Sequence, residues 1–81
     1  MSGLIKRSFS LAGHRTSVAL EDAFWAVLME MAAHRGETLS ALVAGIDAER
    51  TPDQALASAL RLTALAFSRR QNENHKSEQS H

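Results

Sequence analysis

Polar and apolar positions alternate along GHRTSVAL, residues 13–20. His14, Thr16, Val18 and Leu20 fall on one face, and Arg15, Ser17 and Ala19 fall on the other. A period of two is the pattern of a half-buried strand. The first face grows more apolar toward its end, as expected of a strand leaning on a core. Upstream, SFSL alternates as well, with Phe9 and Leu11 opposite in sense to Ser8 and Ser10. That stretch fits either a second short strand or an ordered arm, and the sequence leaves the choice open.

From Glu21 onward the period changes to that of a helix. Phe24, Leu28, Met31 and Arg35 recur at helical spacing, with Trp25, Met29 and Ala32 widening the stripe. Asp22 suits the first turn, where a negative charge meets the helix dipole, and Gly36 ends the helix behind His34 and Arg35. Thr38 then reads as the N-cap of a second helix whose stripe is Leu39, Leu42, Val43 and Ile46. That helix fades through Asp47–Arg50. TPDQ, residues 51–54, has the form of a capping box, with Thr51 as N-cap, Pro52 in the first helical position and Gln54 three residues after the cap. It predicts a third helix carrying Leu56, Leu60 and Phe67, flanked by Leu62 and Leu65, and ending near Arg69 or Arg70.

The predicted organisation is a basic N-terminal arm over residues 1–12, one domain over 13–70, and a polar tail over 71–81. The tail, QNENHKSEQSH, has no apolar residue and reads as disordered. The expected class is mostly α, with a single convincing strand. A lone strand cannot satisfy its own backbone hydrogen bonds. Its expected partner is therefore the same strand of a second copy, giving an antiparallel ribbon on a two-fold axis with the helices packed beneath it.

Charge sharpens this picture. The 81 residues balance nine Lys and Arg against nine Asp and Glu. Residues 1–20 hold Lys6, Arg7 and Arg15 and no acid, whereas all nine acids follow. Such a split points to an anionic partner for the basic segment. The alternative, an organellar transit peptide, is disfavoured by the strand pattern running straight into a helix. A secretory signal is disfavoured by the lack of an apolar stretch after the basic pair. Cysteine is absent, so there is no disulfide framework. The expected location is the cytoplasm, with no membrane partner. A monomer of this size buries a marginal core, which favours oligomerisation.

A two-stranded antiparallel ribbon fits the major groove of double-stranded DNA. In a ribbon dimer Arg15, Ser17 and Ala19 would face away from the core toward the bases. Arg15 can donate two hydrogen bonds to guanine, Ser17 can donate or accept, and Ala19 offers an apolar contact. Lys6 and Arg7 suit phosphates, as do the free backbone amides around Thr38 and Ser40 at the start of the second helix. Glu37 would oppose an anion there. Val18, Leu20, Phe24, Trp25, Leu28, Met31, Leu39, Leu42, Val43 and Ile46 are the expected dimer core.

The words KRSFSLAGHRTSVALE, FWAVLMEMAAHRGETLSALVAGIDAER and LASALRLTALAF resemble the bacterial ribbon-helix-helix group of the Arc and MetJ type. They look closest to its small domains of poorly defined function. The likeness spans residues 6–67, most of the chain. It implies an intertwined homodimer with an additional C-terminal helix, binding DNA through the ribbon, mostly as a transcriptional regulator. Strands of that group usually carry a basic residue where this chain has Ala19, which leaves one long base-reading side chain per subunit.

Other readings are weaker. His14, His34, His75 and His81 are irregularly spaced, so no metal site is expected. His14 lies on the face opposite Arg15 and reads as structural or partly exposed. Thr16 and Ser17 have no nameable base or oxyanion site, and no Gly-rich phosphate loop exists, so no enzyme and no cofactor is expected. Arg61 is expected at the helix surface or paired with an acid across the dimer. Arg69 and Arg70 complement the end of the third helix. The rival to a DNA binder is an antitoxin- or adaptor-like module that dimerises through the ribbon and holds a protein partner on the third helix. A purely structural oligomerisation domain is the remaining alternative.

Overall fold

Two strands, β1 (Leu4–Leu11) and β2 (His14–Glu21), pair antiparallel as a hairpin within one chain. The computed structural model describes residues 3–79, with side-chain surroundings for residues 3–73. The turn consists of Ala12 (φ 51°) and Gly13 (φ 82°). Positive φ at both central residues marks the type I′ turn, whose twist matches that of the strands it joins. β2 therefore meets its partner strand in its own chain, where the sequence pattern led us to expect a second copy. Residues 4–11, expected within a basic arm, belong to the ribbon. The local cue was obscured because such turns favour Asn-Gly, whereas Ala at position 12 makes the left-handed backbone there costly.

Three helices follow: α1 (Asp22–His34), α2 (Leu39–Glu49) and α3 (Leu56–Gln79). β2 passes directly into α1, with Glu21 as the N-cap and Asp22 in the first turn. The end of α1 is a Schellman motif. Glu37 N–H donates to the Ala32 carbonyl (3.0 Å) and Gly36 N–H to the Ala33 carbonyl (3.2 Å). Gly36 holds the required left-handed φ of 66°. α2 starts as expected, the Thr38 hydroxyl accepting from Ala41 N–H at 3.0 Å.

Two expectations about α3 change. TPDQ is a turn ahead of the helix and not its capping box. Gln54 N–H donates to the Thr51 carbonyl (3.0 Å), leaving Pro52 at the second turn position, which its fixed φ also suits. The Thr51 hydroxyl, followed by the Asp53 backbone amide, holds the Asp53 carboxyl below its ordinary pKa. Arg50 braces the loop by donating to the Gln54 carbonyl (2.6 Å) and to Asp47 (2.8 Å). At the other end, α3 runs through Gln79, across most of the segment expected to be disordered. Once nucleated by its packed first turns, a helix propagates at low cost through Arg, Gln and Glu without apolar residues. Ser80 and His81 of that segment lie outside the described residues.

The helices cover one face of the hairpin, with α2 against β1 and both α1 and α3 against β2. Trp25, Leu20, Leu28, Leu42, Leu60 and Val43 are fully buried at the centre. Each contributes on the order of 1.5–3 kcal/mol relative to exposure. Seven of the ten residues expected at a dimer core, Val18, Leu20, Trp25, Leu28, Met31, Leu42 and Val43, are buried inside the single chain, and Phe24, Leu39 and Ile46 pack partly buried against them. The chain achieves this because β1 adds Phe9 and Leu11 and α3 adds Leu60, Ala64 and Phe67.

Candidate nucleic-acid interface

Hairpin register decides which side chains share a surface, since residues directly opposite on paired strands point to the same face. Ile5, Arg7, Phe9 and Leu11 of β1 stand opposite Leu20, Val18, Thr16 and His14 of β2. That face contains the buried Phe9, Leu11, Val18 and Leu20 and is the one covered by the helices. The other face pairs Ser10 with Arg15, Ser8 with Ser17, Lys6 with Ala19, and Leu4 with Glu21. Arg15, Ser17 and Ala19 thus lie together on the outer face, as the alternation along β2 predicts. Arg15 and Ser17 are exposed, and Ala19 is half-buried.

Lys6 and Arg7, neighbours in sequence, part company here. Lys6 joins the outer face directly across from Ala19. Arg7 lies on the helix-facing side, its guanidinium 5.5 Å from the centre of the Trp25 ring. Trp25 also donates its indole N–H to the Ile5 carbonyl at 2.8 Å. One side chain of α1 thereby fastens β1 from below.

On the outer face, the Ser8 and Ser17 hydroxyls lie 2.9 Å apart. Such a pair shares one proton in its mutual hydrogen bond and keeps the other for a ligand. Among the described residues neither Lys6 nor Arg15 forms an ion pair. Glu21, the one acid on this face, is occupied: Arg61 donates to its two carboxylate oxygens at 3.0 and 3.4 Å. The Glu21 backbone amide first, and then Arg61, hold the carboxyl below its ordinary pKa. Arg61 finds its acid within the chain, and it lies 6.0 Å from the centre of the Phe24 ring.

The Thr38 hydroxyl is already used as a cap, whereas Ser40 is exposed. Arg35 lies 2.9 Å from the Glu37 carboxylate and offsets the charge that would repel an anion. His14 is exposed at the turn end of the hairpin, and His34 packs edge-on against Phe67 at 5.4 Å. Among the described residues no group of three His, Cys, Asp or Glu side chains is placed to hold a metal ion. Nor is any helix among them long and apolar enough to cross a membrane.

Sequence reasoning missed the contribution of β1 to this surface. Its signal was present in the alternation of SFSL, whose serines continue the polar face through Ser8 and Ser10.

The arrangement has a solved counterpart. An uncharacterized protein from Bordetella pertussis Tohama I superposes with a TM-score of 0.74 at 31% sequence identity. The match covers 89% of this chain and 61% of that one, so the chain spans less than two thirds of the length of its structural relative. No curated protein matches the chain. The family model described as the ribbon-helix-helix domain matches residues 4–67, taking in β1, β2, α1, α2 and the packed half of α3. The match begins at β1, nine residues before the domain boundary expected from the sequence pattern. By this match, and by a two-stranded ribbon leading into packed helices, the chain belongs to the ribbon-helix-helix domain family.

Proposed function

We propose that the chain is a homodimeric DNA-binding protein, a transcriptional regulator of the cytoplasm that inserts its antiparallel ribbon into the major groove. Ribbon-helix-helix domains typically bind DNA and dimerise. The observation that carries the reading is the outer face of the hairpin: small polar side chains with two cations, Lys6 and Arg15, free of carboxylate partners among the described residues. Two strands about 4.8 Å apart enter a groove about 12 Å wide. Arg15 and Ser17 then face base edges, with Ala19 an apolar neighbour. Arg7, exposed on the helix-facing side of β1, and the backbone amides around Thr38 and Ser40 serve phosphates. A second copy brings a second hairpin, which suits an inverted-repeat or tandem site. Leu4, Ile5 and Met29 are exposed apolar residues available to that contact.

A second reading has its own support. Leu62 and Leu65 on α3 are 58% and 51% exposed, a surface that an antitoxin- or adaptor-like module would use for a protein partner. The experiment that separates the two is fluorescence-anisotropy titration of random-sequence DNA, and of DNA selected from a random pool, across a salt series. For the DNA reading, Arg15→Ala should lower affinity for the selected site by about 1–3 kcal/mol and relax its sequence preference. Absence of binding at low salt would refute it and turn attention to α3.

A further inference from the structure

We infer that Lys6 is a second base-reading side chain, so that one hairpin of one chain presents two long groove-facing cations on two different strands. This rests on the proposed binding of DNA through the ribbon, and it moves Lys6 from the phosphates to the groove floor.

Register places both cations. Lys6 stands directly opposite Ala19, and Arg15 directly opposite Ser10, all on the outer face. Between the two cations lie only Ser8, Ser17, Ser10 and Ala19, none longer than a hydroxymethyl group. A surface of short side chains lets the strands approach a groove closely, and the longer side chains at its diagonal corners then reach beyond it. Along the strands, the Arg15 and Ala19 positions are four residues apart. At about 3.4 Å per residue this separates the two cations by about 14 Å along the strands. With bases stacked about 3.4 Å apart, they face positions about four base pairs apart. Glu21, two positions beyond Ala19 on the same face, is engaged by Arg61 and leaves Lys6 free.

Arg7 supplies the contrast. It differs from Lys6 by one position in sequence and by the whole thickness of the sheet in direction. On a disordered arm the two would be interchangeable. On this strand they are not, because successive side chains point to opposite faces.

The test is selection from a random DNA pool with the wild-type chain and with Lys6→Ala, Arg7→Ala and Arg15→Ala, followed by anisotropy titration. Far-UV circular dichroism checks that each variant is folded. Lys6→Ala should lose preference at one base position, distinct from the position lost in Arg15→Ala. Its binding to the wild-type selected site should weaken about tenfold, with a much smaller change on random DNA. Arg7→Ala should return the wild-type motif. Recovery of the wild-type motif by Lys6→Ala, with equal weakening on every sequence, would make Lys6 a phosphate contact and overturn the inference. The reading of function would survive that result if Arg15→Ala still lost its position. A wild-type chain that binds no DNA would overturn both.

Discussion

Replacing Trp25 with Phe removes one ring and one hydrogen-bond donor from the point where α1 holds β1. The indole N–H donates to the Ile5 carbonyl at 2.8 Å, and the ring lies 5.9 Å from Phe9 and 5.5 Å below Arg7. The side chain is 1% exposed. Leaving a part-buried carbonyl without its donor costs about 1–3 kcal/mol. The smaller ring leaves a partly collapsed void worth about 1 kcal/mol more, judged from other large-to-small core changes. Loss of the better cation–π face under Arg7 adds about 0.5 kcal/mol at most, since that guanidinium is exposed. The expected total is about 2–4 kcal/mol, set against a stability on the order of 4–12 kcal/mol for a chain of this length. Urea unfolding followed by far-UV circular dichroism measures it, at fixed protein concentration because a dimer's stability depends on concentration. Arg7→Ala, alone and combined with Trp25→Phe, completes a double-mutant cycle whose coupling should be no more than about 0.5 kcal/mol. A loss below about 1 kcal/mol for Trp25→Phe would refute the view that the indole anchors the hairpin.

Ala12 occupies a left-handed turn position at φ 51° ahead of Gly13, so Ala12→Asn should stabilise the protein by about 0.5–1 kcal/mol in the same unfolding assay. No gain would mean that the turn relaxes away from the type I′ form. The lowered carboxyl pKa of Glu21 predicts acid sensitivity. A group lowered in the folded state contributes stability above its unfolded pKa and loses it as pH falls through the folded value. Melting temperature should therefore drop from about pH 5 downward, and Glu21→Gln should flatten part of that slope. Arg61→Ala should flatten a smaller part, because the backbone amide at Glu21 is the larger cause. An unchanged pH profile in Glu21→Gln would remove the Glu21–Arg61 contact from the account of stability.

Periodicity and capping chemistry, both local, make much of this fold legible. The alternation along β2 is sufficient to separate Arg15, Ser17 and Ala19 from the apolar face, because strand geometry assigns alternate residues to opposite sides wherever the partner lies. The stripe Phe24, Leu28, Met31 and the glycine at position 36 likewise define α1 and its end, since helix pitch and left-handed backbone are properties of a few neighbouring residues. The cap at Thr38 belongs to the same class. Where two local structures share one signature, the sequence is ambiguous: TPDQ satisfies both a capping box and a proline turn, and the pairing of Thr51 with Asp53 and Gln54 selects the turn.

Tertiary structure alone decided what each surface meets. β2 pairs with β1 rather than standing unpaired in its chain, because the two-residue turn at Ala12–Gly13 brings the strands into register and Trp25 secures the far end. That one pairing places Lys6 on the outer face and Arg7 over the indole, a division that composition and charge do not contain. It also explains why residues expected between two chains are buried within one. Apolar periodicity states that a face is covered, whereas the identity of the cover depends on contacts between residues far apart in sequence. Here those contacts come from Phe9, Leu60 and Phe67, carried on β1 and α3.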